Sequence, residues 1–386
     1  MRLPCAQTAI EEARIFQDLL PLLLVGLSCE ASDEGARATS PTECPLTHPC
    51  RPLQPVTEPQ RAHGLDPIRI DGLQFANWSR TIFQQWRQAR LGAVHATVAY
   101  HLSLRAVIDE IVAWNWRFRD HADLIAPVRH ADDIDRAVAA GRTAVLLGLQ
   151  NPLPVEDDLG LVQVLHDLGV RVMQVTYNNQ SLLGCGWAEA EDSGLTRMGR
   201  EVVREMNRLG MLIDLSHAGE RTALDTIAHS ARPVAVTHAT PAEWRAGGRQ
   251  VSPRLMRALA ERGGMLGLSL YPLHLRDGSE TTLAAFCDMA ARAAEAMGVE
   301  RLGIGSDLCQ DRPDEAVQWM REGRWMRPDP AAERPRLPPQ PAWFRDSRGF
   351  DALDAGLRAA GFAAEEVGMI LGGNWHRFLR TALAPA

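Results

Sequence analysis

Three side chains able to bind a metal or move a proton stand at the ends of apolar runs. His217 follows Met211-Leu212-Ile213-Asp214-Leu215-Ser216, His238 follows Val234-Ala235-Val236-Thr237, and Asp307 follows Gly303-Ile304-Gly305-Ser306. One histidine at a strand end is more often structural than functional. Two at equivalent places on successive runs, with a carboxylate ending a later run, predict a metal site. Asp307 alone suits a loop cap equally well; beside such a site it reads as the base that accepts a proton from activated water.

Composition removes the main rival chemistries. The chain of 386 residues contains no lysine, and all 41 basic residues are arginine. Schiff-base catalysis, pyridoxal phosphate, a Walker A loop and a carbamylated-lysine metal bridge all need an amine that arginine cannot supply. A net charge of −7 with no basic run argues against nucleic acid as a partner. The seven cysteines (5, 29, 44, 50, 185, 287 and 309) are odd in number and form no CxxC pair, which favours free thiols and a reducing, cytoplasmic setting. Leu19 to Leu27 is too short to cross a bilayer, and Glu11, Glu12 and Asp18 stand where a signal peptide carries basic residues.

The elements that must position these groups alternate. Apolar runs recur at Ile68–Asp71, Ala93–Tyr100, Thr143–Leu149, Val170–Tyr177, Met211–Ser216, Pro233–Thr237, Met265–Tyr271 and Leu302–Ser306, with helical stretches between them. Thr196 caps a helix with the apolar stripe Met198, Val202, Val203, Met206 and Leu209, and Gly210 ends it. Ser252-Pro253 opens another, and Thr281 to Met297 carries Leu283, Phe286, Met289, Ala290 and Ala293 on one face before Gly298. Eight such units predict a parallel (β/α)8 barrel. An open doubly wound sheet usually has a Gly-rich turn after its first strand, which Asp71-Gly72-Leu73-Gln74 is not.

Residues 1–64 are rich in Pro, Ser, Thr and Glu from Ala31 onward and read as a disordered leader or a mis-set start. Cys44, His48 and Cys50 there lack the second pair that a zinc knuckle needs. Residues 65–386 read as one barrel. An insertion at about 311–350, dotted with Trp319, Trp325 and Trp343, is expected to act as a lid or dimer contact. The polar residues at strand ends, and so at the mouth, include Gln150, Tyr177, Asn178, Asn179, His217, His238, Tyr271 and Asp307.

From about Ile68 to Phe378 the chain resembles the membrane (renal-type) dipeptidases, zinc peptidases of peptidase family M19 and of the amidohydrolase-like barrel class. The resemblance rests on Gly199–Asp214, Ser216-His217-Ala218, Thr237-His238-Ala239, Gly303-Ile304-Gly305-Ser306-Asp307 and Gly372-Gly373-Asn374-Trp375. It implies that His217 and His238 are metal ligands and that Asp307 is both a ligand and the proton shuttle. It implies further that Arg249 and Tyr271 grip a substrate carboxylate, with Asn178 as a neighbouring contact, and that the protein is a homodimer.

Four of the family's positions differ here, all in one site. The first-strand Asp-Gly-His-x-Asp reads Asp71-Gly72-Leu73-Gln74-Phe75, the bridging Glu falls at Gln150, and the histidine that stabilises the tetrahedral intermediate falls at Tyr177. Two dications about 3.5 Å apart repel by on the order of 19 kcal/mol at an effective dielectric of about 20, so a two-ion centre relies on anionic ligands. With Asp307 as the one matched carboxylate, the expectation is one divalent ion, zinc by resemblance, on His217 and His238, with Asp307 or water completing it. Gln150 could add a weak oxygen; His95 is expected to be a core residue. The expected activity is hydrolysis of a dipeptide or similar small amide bearing a free carboxylate, with Tyr177 as oxyanion donor. A non-catalytic barrel that binds a small carboxylate, or an amidohydrolase acting on a non-peptide amide, are the alternatives.

Overall fold

The structure is a computed structural model and describes residues 68–384 except 328 and 332. The leader and its Cys44, His48 and Cys50 lie outside the described residues. Nine parallel strands form one sheet: β1 (Arg69–Gln74), β2 (Leu91–Ala99), β3 (Ile125–Pro127), β4 (Thr143–Leu149), β5 (Val170–Gln174), β6 (Leu212–Asp214), β7 (Ala235–Ala239), β8 (Met265–Leu268) and β9 (Leu302–Ile304). The pairings β1–β2, β2–β4 and β1–β9 close eight of them into a barrel with helices between successive strands. The ninth, β3, pairs with Thr143–Val145 of β4, while β5 pairs with Leu147–Leu149 further along the same strand. The eight runs read from the sequence do not include β3, whose three residues end on an exposed proline.

Helix ends follow the sequence grammar. Thr196 Oγ1 accepts from Gly199 N at 2.9 Å, and Gly210, at φ 70°, stops the helix Arg197–Leu209. Ser252 Oγ accepts from Leu255 N ahead of Pro253–Glu261, and Thr282 caps Leu283–Met297. No helix among the described residues is long and apolar enough to cross a membrane.

Two devices shape the barrel interior. At its base the fully buried Trp375 donates from Nε1 to Ile304 O at 2.9 Å. A Cβ at Gly303 would come within 2.2 Å of that indole, and one at Gly72 within 2.8 Å, so glycines on β1 and β9 make the slot the ring fills. Higher up, Asp71 on β1 accepts from Ser306 N (2.8 Å), Ser306 Oγ (2.6 Å) and Gln74 Nε2 (2.7 Å), tying the first strand to the loop after the last. His95 lies inside the barrel as expected: it is buried, its Nδ1 is 2.7 Å from Gly72 O, and its Nε2 packs where a Cβ of Gly148 would be.

The insertion divides into two parts. Its helix Glu315–Glu322 and Trp325 reach the barrel mouth, whereas Trp343 donates to Thr281 O at 2.8 Å and packs on Phe286. Replacing Trp375 with alanine is expected to cost about 3–5 kcal/mol in urea unfolding, because the glycine-lined slot cannot collapse onto a methyl group; a loss below about 1 kcal/mol would contradict this role.

Candidate active site

The loops after the strands enclose a cavity of about 800 Å³. Every site residue singled out from sequence except His238 lines it, namely Gln150, Tyr177, Asn178, His217, Arg249, Tyr271 and Asp307. His238 is fully buried directly behind, its Nε2 3.1 Å from His217 Nε2.

The hydrogen-bond network fixes the tautomers of both histidines. Trp187 Nε1, which can only donate, points at Asn178 Oδ1 at 2.7 Å, so the Asn178 atom facing His217 Nδ1, also at 2.7 Å, is the oxygen. His217 therefore carries its proton on Nδ1. Thr237 Oγ1 gives its hydrogen to Asp214 Oδ2 at 2.6 Å and is left to accept from His238 Nδ1 at 2.8 Å. His238 is likewise protonated on Nδ1. Both Nε2 lone pairs thus face one another. Burial, reinforced by Arg249, pushes both imidazoles well below their ordinary pKa, so both are neutral near pH 7.

Two neutral lone pairs at this distance leave room for a shared cation. Tetrahedral zinc at roughly 2.05 Å from each nitrogen would hold the two about 3.3 Å apart, close to the spacing found. The pair offers two neutral donors at the spacing of one divalent ion, with Arg249 Nη2 3.5 Å from His217 Nε2 and no third His, Cys, Asp or Glu converging on them among the described residues, so water would have to complete such a site. A second ion finds no comparable donors, since Leu73 and Phe75 are buried apolar side chains. Where first-strand ligands were sought, Phe75 packs edge-on to Tyr100 at 5.1 Å, and Tyr100 stacks on Tyr177 at 5.4 Å.

The histidines are held from beneath by Asp214, which is fully buried. It accepts from Ser216 N (3.0 Å), Ser216 Oγ (2.5 Å), Thr237 N (3.0 Å), Thr237 Oγ1 and Gln174 Nε2 (2.9 Å). Sequence reading passed over this residue; its one signal was a carboxylate inside an apolar strand.

The remaining groups take distinct positions. Asp307, in left-handed backbone at φ 54°, lies 3.9 Å from His274 Nδ1. Burial pushes its pKa up to about 7, and Arg249 only partly offsets this. His274, which sequence reading also missed, is buried, and Ser269 Oγ lies 2.8 Å from its Nδ1. Arg249 is 8% exposed; Nη2 donates to His238 O at 2.7 Å and lies 3.5 Å from His217 Nε2, while Nε and Nη1 have no partner among the described residues. Burial lowers its pKa to about 10, so it remains charged. Tyr177 lies with its ring 4.2 Å from that of His217, and burial raises its phenol well above the ordinary value. Gln150 Nε2 donates to Thr97 Oγ1 at 2.8 Å. Asn178 lines the cavity, and its carbonyl oxygen is held by His217 and Trp187.

Neutral histidines, a carboxylate and a guanidinium at the mouth of a parallel (β/α)8 barrel define the metal-dependent hydrolase class of this fold. The chain belongs to the membrane dipeptidase family, peptidase family M19, whose model matches residues 76–318. The match begins one residue past Phe75, beyond the first-strand segment that departs from the family. A solved amidohydrolase from Pseudomonas aeruginosa is 33% identical with a TM-score of 0.78, over 82% of this chain and 97% of that one. Dipeptidase verJ of Clonostachys rogersoniana is 27% identical over 65% of this chain and 69% of its own length. Dipeptidase tcpJ of Claviceps purpurea is 28% identical over 54% of this chain, a match that spans half the length of that relative. Membership supports a dipeptidase-like metallohydrolase, and the metal dependence of the family, with zinc typical, supports a divalent ion.

Thr237→Val keeps the side-chain volume but removes the acceptor for His238 Nδ1. Zinc affinity is expected to fall by about 10- to 100-fold in a competitive chelator titration, with the fold retained; an unchanged affinity would show that Thr237 does not orient this ligand.

Proposed function

We propose that the protein hydrolyses a dipeptide or similar small amide carrying a free carboxylate, using one divalent ion, zinc by family, on His217 and His238. The observation that carries this reading is the pair of Nε2 atoms 3.1 Å apart beside a buried guanidinium whose Nε and Nη1 have no partner among the described residues. A divalent ion there supplies Lewis-acid polarisation of the amide carbonyl and lowers the pKa of water.

The chain's own residues supply the rest. Arg249 is the buried cation of this cavity, and Nε or Nη1, which have no partner among the described residues, can each give one charge-assisted hydrogen bond to a carboxylate. Tyr271 lines the same cavity. Asp307, with a pKa of about 7, is suited to take a proton from the attacking water and return it to the leaving nitrogen. The Tyr177 phenol stays protonated and is the donor available to a developing oxyanion.

Chelation is expected to abolish amide hydrolysis and zinc to restore it. Arg249→Met is expected to lower kcat/KM for a carboxylate-bearing amide by roughly 10- to 100-fold, the effect of losing a charge-assisted hydrogen bond. Hydrolysis indifferent to chelation would contradict the proposal. Ligand-induced thermal stabilisation that survives chelation, without turnover at any metal load, would support a non-catalytic carboxylate-binding barrel.

A further inference from the structure

Trp187 lies on the loop after β5, partly exposed at the cavity wall. Backbone contacts hold it beside Asn178. Ala188 N donates to Asn178 O at 2.9 Å and Trp187 N to His217 O at 3.1 Å. A Cβ on Gly186 would lie 2.0 Å from Asn178 O, so a glycine must precede the tryptophan for the two stretches to close. Asn178 is in left-handed backbone at φ 60°, which asparagine and aspartate adopt more readily than most residues.

The Asn178 amide could face His217 in two ways. With its oxygen toward Nδ1, as found, it accepts the imidazole proton and leaves a lone pair on Nε2. Turned over, its NH2 would donate to Nδ1 and the proton would move to Nε2. That alternative keeps the bond between Asn178 and His217 and adds another, because His238 Nε2, left as a lone pair by Thr237, lies 3.1 Å from His217 Nε2. Without a metal, two facing lone pairs therefore compete with an imidazole–imidazole hydrogen bond. Arg249 Nη2, 3.5 Å from His217 Nε2, favours the lone pair only weakly at that distance. The Trp187 indole decides the contest. It can only donate, at 2.7 Å, and a turned amide would set NH2 against it.

We propose that Trp187 is a positioning residue for the metal: through the Asn178 amide it keeps the His217 proton off the nitrogen that faces His238, so that both Nε2 lone pairs stay free for one divalent ion. The role rests on the single-ion reading of the histidine pair and adds the residue that keeps the empty site ready for the ion. Without the indole donor the amide turns over, and zinc must then displace a proton shared between the two imidazoles.

The test uses the full chain and two readouts: the His217 tautomer in zinc-free protein, by NMR of the ring nitrogens, and zinc affinity by chelator competition. The parent is expected to carry the proton on Nδ1 and Trp187→Phe to carry it on Nε2. Trp187→Phe is expected to weaken zinc binding by about 10- to 100-fold. In an Asn178→Asp background the same change is expected to cost less than about threefold, because neither carboxylate oxygen can donate and there is no amide to turn. An equal loss in both backgrounds, which is what mere packing would give, overturns the proposal. So does an unchanged affinity in Trp187→Phe, or a His217 proton found on Nε2 in the zinc-free parent. If the parent binds no zinc, the single-ion reading fails, and the tautomers alone decide: a proton that moves from Nδ1 to Nε2 on Trp187→Phe supports the positioning role, and one that stays on Nδ1 overturns it.

Discussion

The Asp214 carboxylate is the interaction on which the site depends. It is fully enclosed at the end of β6 and is compensated by five hydrogen-bond donors from β5, β7 and the turn that follows it. A buried carboxylate without partners would cost several kcal/mol, whereas charge-assisted hydrogen bonds contribute about 1.5–3 kcal/mol each. The arrangement therefore holds only while Ser216 and Thr237 keep their places. Those two residues adjoin His217 and His238. The group that satisfies the carboxylate thus also sets the spacing of the imidazoles, and through Thr237 the tautomer of one of them.

A similar device closes the barrel. Asp71 takes donors from Ser306 and Gln74 and ties the first strand to the loop that carries Asp307. Here the pinned strand delivers no ligand. Leu73 and Phe75 occupy the places where the family has a histidine and an aspartate, and Phe75 joins Tyr100 and Tyr177 in an aromatic wall. The barrel keeps the strap that holds the first strand and fills the first-strand side of the site with rings. Loss of anionic ligands and gain of apolar surface are two consequences of the same substitutions.

Much of this was legible in the sequence because parallel strands buried on both faces read as apolar runs and the barrel mouth lies where those runs end. His217, His238 and Asp307 were found that way, whereas Arg249 came only from the family resemblance. The run ends were read too long: Tyr177 and Tyr271 stand in loops beyond Gln174 and Leu268, because apolar residues continue past the last paired one. The bond of Asn178 to Trp187, nine residues on, depends on loop geometry that spacing does not reveal. Asp214 and His274 went unread for a related reason. A polar residue within an apolar segment gains its meaning from partners on other strands.

The proposed single-ion site is tested most directly by counting zinc per chain, by elemental analysis of protein loaded with excess zinc and then dialysed. One zinc per chain in the parent protein and none in the His217→Ala/His238→Ala double variant is the expected result. Two per chain in the parent, or one retained by the double variant, would contradict the account, because each would require ligands that the first-strand side of this barrel does not supply.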